Sequence, residues 1–258
     1  MRALRLLREA GIPFHVITVI SAASLGAADR LFDFYVEQGI RDVAFNIDEQ
    51  DGAAGPSSLA SPGMLGRYRA FLDRFLERLA AAPGLVTLRE ATDMLAVIRM
   101  NGLHGRRAQD AEPMRIVSVA VDGRVSTFSP ELLGVADARY GDFVFGNVVT
   151  DSLESIYQRV ARSAMLTDIN AGIENCAREC VYFRYCGGGS PCNKIGEKAD
   201  LRATETLFCR LMRKEMLESV LALLEREMLA APIANGGRAP SGAPSRPSLP
   251  RLDLARPG

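Results

Sequence analysis

The chain has 258 residues, 48% of them hydrophobic, with 31 basic residues against 31 acidic ones, five cysteines and no tryptophan. That length can bury the core of one medium domain or two small ones. The zero net charge excludes a global field that would draw the chain to nucleic acid or to an anionic membrane. No run approaches the about 20 apolar residues of a membrane-spanning helix, so a soluble, cytoplasmic protein is expected. The opening MRALRLLREA and the apolar run Ile17 to Ile20 superficially imitate a signal peptide, but Glu9, Pro13 and His15 interrupt what would have to be an unbroken apolar stretch.

In chain order, Leu4, Leu6 and Leu7 predict a short helix ending at Gly11, and Pro13 forces an extended run from Phe14 to Ile20. A helix over Ala27 to Gln38 then stops at Gly39 and gives way to a buried strand, Asp42 to Ile47. This alternation implies parallel strands with crossover helices. The chain starts as if in the middle of an α/β barrel. After a Gly-, Ser- and Pro-rich loop, Leu65, Tyr68, Phe71, Leu72, Phe75, Leu76 and Leu79 mark an amphipathic helix over Pro62 to Ala81, and another is expected near Arg89 to Met100.

Charge and turn formers between Gly105 and Pro113 suggest a boundary. From Met114 the period changes to two: Val117, Val119 and Val121, then Asp122-Gly123, then Val125 to Phe128 predict a β-hairpin with a primed turn. Asp151-Ser-Leu-Glu154 reads as a capping box opening a helix to about Leu166, and a last helix is expected over Thr204 to Ala230. The Pro-, Gly- and Arg-rich stretch 232–258 reads as a disordered tail.

All five cysteines fall between Cys176 and Cys209. An odd number in an otherwise ordinary composition speaks against a disulfide scaffold and for a reducing compartment. Four thiolates within reach of one another, three on loops and one on the last helix, form a ligand set for a metal or an iron–sulfur cluster. Gly187 to Gly189 would let backbone amides approach such a group closely. Only Cys176 and Cys180 have the short spacing of a zinc pair, so a structural zinc module stands as the alternative.

The run CxxxCxYFxxCGGGxPxNKxxE, followed by TETxxCR, resembles the C-terminal SPASM domain of radical S-adenosylmethionine (SAM) peptide maturases, and most of all the Grr-type, cyclophane-forming enzymes that act on glycine-rich repeat peptides. VDGRVSTFSPELLG resembles that family's hairpin, and GIPFHVITVIS and GIRDVAFNIDEQDG resemble late strands of its barrel. The fold implied is α/β: an incomplete (β/α) radical SAM barrel over 1–112, a small α+β SPASM-type domain over 113–231, and the tail. By position, Cys176, Cys180, Cys186 and Cys209 would hold one auxiliary [4Fe-4S] cluster. Cys192 lies two residues beyond where such domains place a cysteine for a second cluster, and the hairpin offers Phe128 and Ser129 rather than a thiol; it remains a further candidate thiol.

The resemblance also implies a precursor peptide as partner and carbon–carbon cross-linking as the family reaction. The family cleaves SAM at a cluster held by CxxxCxxC, and no cysteine precedes Cys176. The expectation is therefore a fragment, a split subunit or a degenerate paralogue that needs a separate N-terminal radical SAM half, or else a non-catalytic cluster- or peptide-binding partner of one. Asn46 and Glu49, at the C-terminal end of a barrel-like strand, are candidates to face SAM or substrate. Tyr182, Phe183 and Tyr185 would shield the cluster from water. Capping and loop ordering account for Glu197, Thr204 and Glu205. His15 reads as a hydrogen-bonded core histidine and His104 as an exposed loop residue.

Overall fold

The structure is a computed structural model, and it describes residues 2–50 and 55–230. The stretch 232–258, expected as a tail, lies outside the described residues. The expected alternation is present as α1 (Arg2–Glu9), β1 (Val16–Ile20), α2 (Ala28–Glu37) and β2 (Asp42–Ile47). β1 and β2 run parallel in the register Val16↔Val43 to Ile20↔Ile47. α3 (Met64–Ala81) crosses over to β3 (Thr87–Leu88), which pairs parallel with the start of β2. Two residues carry no period, and β3 was not foreseen.

α4 (Arg89–Arg99) follows β3 directly. Because β3 ends beside Val43, the Phe45 amide has no strand partner on that side; Glu90, in the first turn of α4, accepts its hydrogen bond at 2.9 Å. The helix-facing side of the sheet closes on an aromatic centre in which Phe75 meets Phe32, Tyr35, Phe45 and Phe71 at ring distances of 4.8–6.2 Å. His15 corrects its expectation: it stands exposed just before β1, because Pro13 keeps the chain outside the sheet until Val16.

The second sheet is antiparallel, in the order β4 (Val117–Val119), β5 (Arg124–Thr127) and β6 (Gly146–Asn147). Its hairpin is as expected but its turn is not. Gly123 has φ +86° while Asp122 stays outside the left-handed region, and the Gly123 amide donates to the Ala120 carbonyl. A primed type I′ turn needs positive φ at two residues; this is a turn completed by a single left-handed glycine.

The capping-box reading also shifts by one residue. Ser152 caps α5 (Leu153–Ala161) through the Ser155 amide, Glu154 bonds Gln158, and Asp151 instead takes the Asn147 amide and Arg159. The helix ends at Ala161, and Ser163 caps a separate α6 (Ala164–Glu179). α7 (Phe183–Cys186) and α8 (Pro191–Lys198) follow. A π-helical segment, Cys209–Glu215, then runs into α9 (Met216–Ala230).

Two cores result. One gathers the sheet and α2–α4 with Leu211, Met212, Met216, Leu217, Val220, Leu223 and Leu224 of the last helix. The other joins Phe128, Leu132, Phe143, Val160, Ile169, Ile173, Cys192 and Leu201. Because the last helix belongs to the first core while Cys209 lies in its first turn, the cysteine segment is held between the two.

Candidate metal centre

Cys209 lies on the last helix as expected, but Cys176 and Cys186 sit on helices rather than on loops. Cys176 is in the last turn of α6, Cys180 is its C-cap, Cys186 ends α7, and Cys209 opens the π segment. All five cysteines are free thiols. Cys176, Cys180, Cys186 and Cys209 line one pocket, together with Tyr182, Phe183, Gly188, Lys194 and Lys214. It holds about 390 Å³ of atom-free space, part of it continuous with solvent.

Each wall has a local cause. Gly187, Gly188 and Gly189 all have positive φ, which turns the chain sharply after Cys186. A Cβ on Gly187 would lie 2.7 Å from the Arg106 carbonyl, and one on Gly188 2.9 Å from the Ile173 side chain. The helix carrying Cys209 is capped twice: the Glu197 carboxylate accepts from the Leu207 and Phe208 amides, and Thr206 Oγ1 accepts from the Cys209 amide. Capping is therefore what Glu197 does, as the sequence suggested. Thr204 contributes its carbonyl, 3.3 Å from Cys176 Sγ. Tyr182 donates to Glu218 and packs beside the pocket, while Tyr185 lies beyond Cys186 on the side of α4.

Burial pushes the Cys209 thiol up to about 12, with Cys186 and Cys180 adding to the rise. Cys176 is raised by burial too, against the opposing charge of Lys194. Left as thiols in an apolar wall they would be weak nucleophiles; a bound metal would take them as thiolates.

Cys192 is elsewhere. It is buried in α8 and faces a second cavity of about 760 Å³, lined also by Asn46, Glu49, Ser129, Asn193 and Arg213. Asn46 and Glu49, singled out from the strand end, thus share one cavity, and Asn193 Nδ2 donates to Glu49 at 2.6 Å. Residues that sequence reading left without a role also emerge: Lys194 and Arg213. The lysine was visible in the Asn-Lys of the cysteine motif, but nothing in spacing says that its ammonium turns back to the sulfur of Cys176.

Does this donor set fit a metal group? A tetrahedral zinc with bonds of about 2.3 Å needs sulfurs about 3.8 Å apart. Among the described residues, no three His, Cys, Asp or Glu side chains are gathered so as to hold a single ion. The four thiols instead ring an open space. In an iron–sulfur cluster each thiolate binds its own iron, so the sulfurs stand farther apart. Four thiols lining one space, with no three gathered for a single ion, fit such a cluster better than a lone zinc.

The course of the chain is similar to that of solved structures of one other protein. The solved structure of native anSMEcpe with bound AdoMet agrees with a TM-score of 0.62 at 16% identity, over 88% of this chain and 60% of that one. Native anSMEcpe with bound AdoMet and Cp18Cys peptide agrees with the same figures. In sequence, the uncharacterized protein sll1766 of Synechocystis sp. is 36% identical over 228 residues, which are 88% of this chain and 57% of that protein. No family model matches the chain. The chain thus spans 57% of the curated relative's length and 60% of anSMEcpe, and the likeness to the solved structures is one of fold. No helix among the described residues is long and apolar enough to cross a membrane.

Proposed function

We propose that this chain is the C-terminal, auxiliary-cluster portion of a radical SAM/SPASM peptide maturase, with Cys176, Cys180, Cys186 and Cys209 as ligands of one [4Fe-4S] cluster. The observation that carries the reading is the gathering of these four thiols, and not Cys192, around one pocket. The likeness in fold to anSMEcpe, whose structures hold AdoMet and in some cases a peptide, supports it. The bound cluster supplies one-electron chemistry beside the substrate. The chain's own residues give shape to that chemistry: the glycine turn admits the group, and Tyr182 and Phe183 limit its contact with water. The adjoining cavity offers Glu49, Asp110 and Glu131 as acceptors for the amide and hydroxyl donors of a precursor peptide. On this reading the product is a carbon–carbon cross-link to an aromatic side chain, of the cyclophane type, and the domains divide near residue 112.

The same pocket of thiols admits a second reading. Here the chain is a cluster- and peptide-binding partner of a separate SAM-cleaving subunit. Anaerobic reconstitution tests the first step of both. We expect about four irons and four sulfides per chain, lost on Cys→Ser at 176, 180, 186 or 209 and retained in Cys192→Ser. One tightly held zinc and no iron would refute the cluster. With SAM and a reductant, the chain alone yields no 5′-deoxyadenosine; its production would overturn the need for another SAM-cleaving half.

A further inference from the structure

One charged side chain at the thiol pocket has an unusual setting. Lys194, in α8, is 3% exposed, and its ammonium bonds the Cys176 sulfur at 3.9 Å. No carboxylate pairs with it among the described residues. The other cations at the pocket are placed differently. Lys214 pairs with Glu205 and lies over the Tyr182 ring, and Arg213 is exposed and lies over Phe208.

The slot that receives Lys194 is shaped for it. A Cβ on Gly172, one turn before Cys176 in α6, would stand 2.9 Å from the ammonium, and one on Gly189 would stand 3.9 Å from Lys194 Cε. The α6 glycine thus leaves room for the ammonium to reach the sulfur, while the distance at Gly189 is ordinary contact. A buried ammonium without a counter-charge is strongly disfavoured. Four thiolates around the pocket would supply the missing negative charge.

We infer that Lys194 is the charge partner of the centre and a positioning residue that raises its reduction potential. The inference rests on the reading that the four cysteines hold a [4Fe-4S] cluster. Such a cluster with four thiolates carries two negative charges when oxidised. One electron, supplied by dithionite in the test below, makes it three. A fixed positive charge at the Cys176 sulfur stabilises the reduced form more than the oxidised one, so it favours uptake of the electron.

The test compares the full chain with Lys194→Met and Lys194→Arg, each reconstituted anaerobically, by iron content and by a redox titration followed by electron paramagnetic resonance. Lys194→Met is expected to retain iron and to show, at a fixed potential, at least a tenfold fall in the ratio of reduced to oxidised cluster, equal to 59 mV for one electron. Lys194→Arg, which keeps the charge, should stay within about threefold of the parent. A Met variant that titrates with the parent overturns the inference, as does an Arg variant that falls as far as Met, since packing rather than charge would then matter. Should Lys194→Met not load, Lys194→Gln is judged by the same criterion. If neither loads, an Arg variant that loads and titrates with the parent upholds the role, and any other result overturns it. A parent chain that binds no iron refutes the cluster itself, an outcome distinct from an unshifted potential in a loaded protein.

Discussion

Replacing Gly172 with alanine sets two effects of opposite sign against each other. Gly172 lies inside α6, where alanine is favoured over glycine by about 1 kcal/mol from backbone entropy alone. Yet the added Cβ would stand 2.2 Å from the Leu201 carbonyl and 3.2 Å from Arg202 Cα, against ordinary contact beginning at 3.4 Å. That turn cannot easily retreat. Leu201 is fully buried, Arg202 holds Asp168 through two nitrogens at 2.6–2.7 Å, and the Arg202 carbonyl accepts from Asn175 at 3.0 Å.

Overpacking of this kind costs about 1–3 kcal/mol, and more when only backbone can move. Taken in the upper part of that range, about 2–3 kcal/mol, because the close atoms are backbone, the clash outweighs the propensity gain, and Gly172→Ala should be less stable by about 1–2 kcal/mol. For a chain of this size that lowers the melting temperature by roughly 2–8 °C. Circular dichroism melts of the iron-free protein check it. A melting temperature raised by a degree or more would mean that propensity wins, and would refute the close approach of α6 to the 200–203 turn.

Two further predictions follow from burial. Phe75→Ala removes the ring shared by four aromatic partners and should cost about 3–5 kcal/mol, read from the urea midpoint; a loss under 1 kcal/mol would refute the packing. Asp168 has a side chain 2% exposed: burial alone would raise its pKa, but the Tyr140 hydroxyl, Arg202 and Arg139 outweigh it and hold the carboxyl below the ordinary range. A depressed folded pKa gives stability that is complete above the unfolded value of about 3.9 and lost as pH falls through the folded one. Asp168→Asn should accordingly cost about 1–3 kcal/mol at pH 6, a range kept modest because both arginines are half exposed. The difference from the parent should shrink towards about pH 2.5, and a constant difference across that range would contradict the pairing.

Much of the fold was legible because long periodic runs leave little freedom. The stripe from Leu65 to Leu79 could bury only as a helix, and the run Asp42 to Ile47 only as a covered strand. What escaped was decided by tertiary pairing. β3 and β6 are two residues each and exist because a neighbouring strand offers bonds. In the hairpin, alternation did not tell the edge strand from the covered one: Val119 pairs with Val125, yet Val119 on the edge strand β4 is exposed while Val125 on the central strand β5 is buried. At the site, the resemblance of the cysteine run implied four thiols, which line one pocket, but their helical settings depend on Ser163 as a cap and on the glycine turn. The lysine contact arises between α6 and α8, and no local pattern records it.

The π segment has a consequence for how this protein tolerates length changes. An α-helix would complete about two turns over the seven residues Cys209–Glu215, which would put Cys209 above Met216 on the face buried in the first core. The wider winding falls short of two turns, and the thiol emerges towards the pocket instead. The segment acts as a spacer that sets the azimuth of one thiol against a helix fixed elsewhere. Substitutions at its surface positions leave that angle alone. Gaining one residue with this winding kept would rotate the thiol by roughly 90° relative to α9 and carry it away from the other three, whereas losing one and winding as an α-helix, six residues at about 100° each, would nearly keep the angle.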